Sequence, residues 1–142
     1  MATAAEMMHA GVTCVGEDDT LDKAARIMRS LHVGALPICG ADNRLKGMVT
    51  DRDIVVRAIA EGSDVHTTTA RQMAQGQVVS VDTSADQDEV LGVMKEHRIR
   101  RLPVLDGKQL VGMISEADLA RHLSHDQLSD FVETVYSAPP TN

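Results

Sequence analysis

The sequence predicts an α/β protein of the α+β type, built from two related small units about a pseudo-two-fold axis. The first observation is a junction that occurs twice. Gly47-Met48-Val49-Thr50-Asp51-Arg52-Asp53 returns as Gly112-Met113-Ile114-Ser115-Glu116-Ala117-Asp118. In each, an apolar run ends at Thr or Ser and an Asp stands three residues later. That is a strand running into a capped helix. The second observation is that the surrounding residues repeat too. Met7, Val12, Val15, Met28, Leu36 and Pro37 recur as Met73, Val78, Val81, Met94, Leu102 and Pro103, all 66 residues on. One residue is then lost in a turn, and Leu45, Gly47, Met48 and Asp53 recur as Leu110, Gly112, Met113 and Asp118 at an offset of 65. Ordered matches with one deletion, placed in a turn, indicate an internal repeat. The third observation is that each unit alternates helical and strand patterning. A three-stranded sheet with helices on one face leaves apolar surface uncovered, and pairing two such units covers it.

Along the chain, residues 3 to 10 read as a lead helix closed by Gly11. Val12 to Val15 is a short strand, and Asp19 or Thr20 caps the next helix. Leu21, Ala24, Ala25, Ile27, Met28 and Leu31 recur at helical spacing, which predicts a helix over 21–32. Val33 to Cys39 is the second strand, Gly40-Ala41-Asp42-Asn43 a hairpin turn, and Leu45 to Val49 the third strand. Asp51 to Ala60 is the second helix. The pattern restarts after a polar stretch, with its own hairpin at Asp106-Gly107-Lys108-Gln109. Beyond Asp118 a longer apolar helix runs through Leu119, Leu123, Leu128, Phe131, Val132 and Val135, with a fresh cap expected between Ser124 and Gln127. This tail fits either packing on its own domain or a dimer contact, because apolar spacing alone does not name the partner. Pro139-Pro140 is expected to end the ordered chain. The expected boundaries are 1–64 for the first repeat with its lead helix, 65–69 for a linker, 70–125 for the second repeat and 126–142 for the tail.

The chain has 142 residues, enough to bury a core without a metal or disulfide staple. It has no Trp, one Phe and one Tyr, so aliphatic residues and eight Met fill the interior. A net charge of −7 argues against nucleic acid or an anionic membrane as partner. No apolar run is long enough to span a membrane, and Met1 to Gly11 lacks a signal-peptide pattern. The expected location is cytoplasmic, with secretion without a signal peptide left open.

The order of elements, the Leu-Pro-Ile/Val strand (Leu36-Pro37-Ile38, Leu102-Pro103-Val104) and the Gly-x-x-Thr/Ser-x-x-Asp junction, in tandem, resemble a pair of CBS domains, a Bateman module. The likeness covers about residues 3 to 125. It is particularly similar to stand-alone members without an attached enzyme, which implies a regulatory protein linked to oxygen scarcity or stress. The resemblance implies a homodimer formed through helices and an adenosine nucleotide of the AMP or ATP type as ligand in the cleft between repeats. By the same likeness Asp53 and Asp118 would hold ribose hydroxyls, and Thr50 and Ser115 would face phosphate. Arg100 and Arg101, in the basic stretch His97-Arg98-Ile99-Arg100-Arg101, would also face phosphate. The first repeat has no arginine at the equivalent Leu31-His32-Val33-Gly34-Ala35.

The chemistry of these residues supports two readings. A carboxylate can accept from both hydroxyls of a ribose, and a helix N-terminus suits phosphate. Equally, Thr50 with Asp53 and Ser115 with Asp118 can close on themselves as capping boxes. Adenine would have no aromatic side chain to stack on within the repeats and would lie between aliphatic groups such as Leu36, Ile38, Leu102 and Val104. Cys14 and Cys39 lie at strand ends of the first repeat and have no counterparts in the second. They fit buried thiols, a disulfide with a redox role, or a metal site. No CxxC or HExxH spacing marks a metal, and the six His are scattered, so no metal and no required cofactor is expected. No nucleophile has an evident His partner, so the expectation is a non-enzymatic protein. The alternatives to a nucleotide sensor are a protein-interaction dimer with an unknown protein partner, or a redox-responsive protein acting through Cys14 and Cys39.

Overall fold

The structure, a computed structural model, describes residues 2–74 and 78–137. In chain order its elements are α1 (Ala4–Met7), β1 (His9–Ala10), β2 (Val15–Gly16), α2 (Leu21–Leu31), β3 (Ala35–Cys39), β4 (Leu45–Thr50), α3 (Asp53–Ile59), α4 (Ala70–Met73), β5 (Val81–Asp82), α5 (Gln87–His97), β6 (Arg101–Asp106), β7 (Gln109–Ser115), α6 (Glu116–His122) and α7 (His125–Tyr136). Local chemistry explains most boundaries. Leu21, Ala24 and Met28 form the buried stripe of α2, and the helix stops where His32 turns left-handed at φ 56°. The equivalent helix α5 buries Val90, Leu91 and Met94, starts on the Asp86 side chain and stops at Arg98 with φ 54°. Helix α3 is wound wide, with the Ala60 N–H reaching the Val55 carbonyl.

The chain divides into two compact units, and these do not coincide with the sequence repeats. One is Thr13–Val78; the other joins the residues up to Val12 to those from Val79 onward. The first has a three-stranded sheet in the order β2-β3-β4. Its core gathers Val15, Leu21, Met28, Leu36, Ile38, Val49, Ile54 and Met73. The second has a four-stranded sheet in the order β1-β7-β6-β5. Met7, Val90, Met94, Leu102, Ile114, Leu119 and Phe131 meet in its core.

The lead helices are exchanged. Helix α1, encoded before the first repeat, docks on the second: the Ala4 N–H donates to the Ala85 carbonyl at 2.7 Å and Met7 is buried. Helix α4, encoded before the second repeat, docks on the first, with the Ala70 N–H donating to the Asp19 carbonyl at 2.8 Å. A glycine common to both repeats makes room for this. A Cβ on Gly112 would overlap the Met8 side chain, and a Cβ on Gly47 would stand 2.8 Å from the Ala74 Cβ. Met8 and Ala74 both come directly after the last turn of a lead helix.

Contrary to expectation, the lead helix does not run to residue 10. It ends at Met7, and His9–Ala10 becomes a strand antiparallel to β7, with His9 opposite Met113 and Ala10 opposite Gly112. An edge of β7 is available for pairing, and that non-local ladder overrides local helix propensity. The second strand also starts later than expected, at Ala35. The fresh cap before the tail is present: Ser124 and Gln127 close a capping box at the start of α7. That helix buries Phe131 and Val135 in its own unit. Pro139-Pro140 lies outside the described residues.

Two glycine substitutions should separate packing from backbone entropy. Gly112→Ala is expected to cost about 1–3 kcal/mol by pressing on Met8. Gly92→Ala, in the exposed interior of α5 with nothing within 4 Å of the new methyl, is expected to gain about 0.5–1 kcal/mol. Urea unfolding midpoints of the two variants against the parent check both signs.

Candidate functional site

The two strand-to-helix junctions fold locally as closed capping boxes. At β4–α3 the Thr50 N–H donates to Asp53 Oδ2 at 2.9 Å, and the Asp53 N–H donates to Thr50 Oγ1 at 3.0 Å. Arg57, one turn on, donates from Nη1 to Asp53 Oδ1 at 3.3 Å and to the Met73 carbonyl at 2.9 Å. It therefore ties the junction to the exchanged helix α4. Asp53 is buried.

At β7–α6 the same box carries more partners. Asp118 Oδ2 accepts from the Ser115 N–H at 2.8 Å and from the Ser115 hydroxyl at 3.0 Å. It also meets His9 Nδ1 at 2.8 Å. Asp118 Oδ1 pairs with Arg121. His122 Nδ1 sits 3.0 Å from the Asp118 carbonyl oxygen. Asp118 is 1% exposed. Burial pushes its carboxyl up, but the Ser115 N–H, His9 and the Ser115 hydroxyl outweigh that and hold it below the usual carboxylate range. His9 reaches this site because β1 pairs with β7. Nothing local in the sequence links residues so far apart. Arg57 and Arg121 were not singled out from the sequence, although residues three or four after an Asp share its helix face, a signal that points to both.

The arginines are placed differently from each other. Arg101 lies in β6 directly opposite Ser115. Arg100 donates from Nη1 to the Tyr136 hydroxyl at 3.2 Å, and its guanidinium lies 5.2 Å from the Tyr136 ring centroid. The Tyr136 hydroxyl donates in turn to Glu116 Oε1 at 2.6 Å. The structure thus brings Arg100, Arg101, Ser115 and Asp118 to one end of the second sheet, with α7 reaching across through Tyr136. Thr50 and Asp53 belong to the other unit. Leu36, Ile38, Leu102 and Val104, the aliphatic groups considered as flanks for an adenine, are buried in the two cores.

The CBS-domain family model matches this chain twice, over residues 4–59 and 70–125, each stretch holding one lead helix and one of the paired junctions. The chain belongs to the CBS-domain family. This CBS-domain chain is 50% identical over 137 residues to Hypoxic response protein 1 of Mycobacterium tuberculosis, covering 96% of each. It is 36% identical over 120 residues to CBS domain-containing protein YhcV of Bacillus subtilis, covering 84% of each. The crystal structure of Hypoxic Response Protein I superposes with a TM-score of 0.81 at 53% identity, over 87% of this chain and 100% of that one. The conserved CBS domain protein TA0289 of Thermoplasma acidophilum, 21% identical, shares the fold with a TM-score of 0.84 over 95% of this chain and 76% of that one.

The structure of Hypoxic Response Protein I holds two coordinated zinc ions. The expectation of no metal and no required cofactor, with an AMP- or ATP-type nucleotide as the candidate ligand, is corrected by that finding. Zinc sites need not announce themselves by close spacing, because their ligands can come from distant positions. Among the described residues no three His, Cys, Asp or Glu side chains converge on one point. Cys14 and Cys39, for which a metal site was one of three readings, are bonded to each other.

That disulfide is a consequence of the sheet. Parallel pairing sets Val15 opposite Ile38 and Gly16 opposite Cys39, which brings the Cys14 and Cys39 Cα atoms to 5.7 Å. It closes a loop of sequence separation 25. Among the described residues no helix is long and apolar enough to cross a membrane.

Two outcomes are expected. Because the Asp118 carboxyl is held low in the folded state, its contribution is full above the unfolded value of about 4 and fades as pH falls through the folded value. Asp118→Asn should therefore lower the unfolding free energy at pH 7, and the gap to the parent should narrow in an acid series below about pH 4. Replacing Cys14 and Cys39 by Ser should cost about 3 kcal/mol through the freed loop, read as a lower Tm that reductant imposes on the parent but not on the variant.

Proposed function

We propose that this protein is a non-catalytic regulatory module of the CBS-pair type that works as a homodimer in the response to oxygen shortage or related stress. The observation that carries this reading is the state of Asp53 and Asp118. Both are buried, both are closed into capping boxes, and each faces an arginine of its own helix. Acid–base catalysis needs a carboxylate aimed at a substrate proton, whereas these two are spent on holding a strand to a helix. The likeness to Hypoxic response protein 1 across nearly the full chain supports the stress assignment.

A nucleotide that used Asp53 or Asp118 for its ribose would have to break a capping box, and one that used Arg100 would have to displace Tyr136. The reading therefore places regulation in assembly and partner contact rather than in a bound nucleotide. Thermal unfolding of the purified protein with AMP, ATP and zinc chloride in parallel tests it. The expected result is no rise in Tm with either nucleotide. A rise with AMP or ATP that Asp118→Ala abolishes would replace it with a nucleotide sensor. Zinc that raises Tm and survives dialysis would assign the ligand seen in Hypoxic Response Protein I to this chain as well.

A further inference from the structure

The Cys14–Cys39 disulfide belongs to one unit only, and its counterparts in the second repeat are Ser80 and Leu105. Around it the two units are built alike. In the first, β2 ends at Gly16, the Glu17 N–H donates to the Cys39 carbonyl at 3.2 Å, and a turn follows. In the second, β5 ends at Asp82 and the Thr83 N–H donates to the Leu105 carbonyl at 3.0 Å. Each turn then receives a lead helix on two carbonyls. Those of Asp19 and Glu17 accept from the Ala70 and Arg71 N–H groups at 2.8 and 2.9 Å. Those of Ala85 and Thr83 accept from the Ala4 and Ala5 N–H groups at 2.7 and 3.1 Å.

The units differ in what keeps this dock closed. Behind α1 the chain continues as β1 and pairs with β7. Among the described residues β4, the counterpart of β7, has β3 as its only partner strand. Helix α4 has four residues, too few to persist without packing. Its dock is the turn after β2, where the Arg71 guanidinium also pairs with Glu17 at 3.3 Å and Asp18 at 3.0 Å. That turn hangs on β2, an edge strand of two residues, and the disulfide stands directly before it. The cross-link therefore fixes β2 to β3 at the point from which α4 is held. The two sulfurs are unequally reachable, because Cys39 is 5% exposed whereas Cys14 is half-buried.

We propose that Cys14 is a thiol-exchange site and that its disulfide is a reducible latch on α4, opened by a low-molecular-weight thiol. A thiolate of that class attacks the Cys14 sulfur. A bond forms between the two, the Cys14–Cys39 bond breaks, and Cys39 leaves as a thiolate that takes up a proton. A second thiolate attacks the external sulfur of this mixed disulfide. Cys14 leaves as a thiolate that takes up a proton, and the two external thiols depart joined as their own disulfide. Two electrons have then passed from the external thiols to the protein. With β2 held only by its short ladder, the turn moves off and α4 opens, which exposes Met73 and frees Arg57 from the Met73 carbonyl. This goes beyond the regulatory reading above and does not depend on it, since neither a nucleotide nor a dimer enters the test.

Amide hydrogen exchange followed by NMR on the full-length protein, with and without 2-mercaptoethanol, reads the dock directly. Reduction should speed exchange at Ala70 and Arg71 about tenfold more than at Ala4 and Ala5, which make the same bonds in the second unit. It should also speed them about tenfold more than the amides of the β3–β4 ladder in their own unit. A cross-link acting only through the entropy of the unfolded chain would speed dock and ladder alike. Equal acceleration, or none, overturns the latch. The variant carrying both Cys14→Ser and Cys39→Ser should show the reduced pattern without any thiol, and a match to the oxidised parent overturns the latch as well. Brief exposure to 2-mercaptoethanol, quenched with acid and mapped by mass spectrometry, should place the first adduct on Cys14. An adduct on Cys39, or a disulfide that resists the thiol in the folded protein, overturns the exchange site.

Discussion

The crosswise docking of the lead helices governs the rest of the molecule. Each sheet has one strand, β4 or β7, with a glycine where its neighbour must come close, and the neighbour is the lead segment of the other repeat. Met8 occupies the space over Gly112, and Ala74 that over Gly47. Without those helices each unit would leave part of its core open, since Met7 and Met73 are buried members of the cores they dock on. The two repeats therefore depend on each other through connectivity, and neither repeat as encoded is a complete structural unit.

The same exchange makes the two junctions unequal. In the first unit Asp53 sees Arg57, which also holds the Met73 carbonyl. In the second, the segment after α1 continues as a strand and delivers His9 to Asp118. A duplicated pair of capping boxes has thus acquired a histidine neighbour in the second unit and an arginine tie to the exchanged helix in the first. The buried carboxylate remains charged because donors surround it, which is the condition under which burial of a charge is tolerated.

The tail adds a second asymmetry. Phe131 gives the second unit a large aromatic anchor that the first unit lacks. With that anchor set, Tyr136 falls between Arg100 and Glu116 and occupies the arginine that the basic stretch offered to an anion. An acidic protein with one local basic cluster has spent part of that cluster on holding its own C-terminal helix.

The sequence by itself determined what depends on near neighbours. The duplication, the amphipathic stripes of α2 and α5, the hairpin turns and the Thr50–Asp53 and Ser115–Asp118 caps were all legible, because each is decided by residues a few positions apart. The capping reading of the two Asp residues could be written down beside the ligand reading, but not chosen. Tertiary structure decided the remainder. It stopped the lead helix at Met7 because β7 had an edge to pair. It carried His9 to Asp118, closed Cys14 to Cys39 through the register of β2 on β3, and gave Arg100 to Tyr136. These are contacts between residues far apart in the chain, and no periodicity or cap records which distant strand edge or side chain will be waiting.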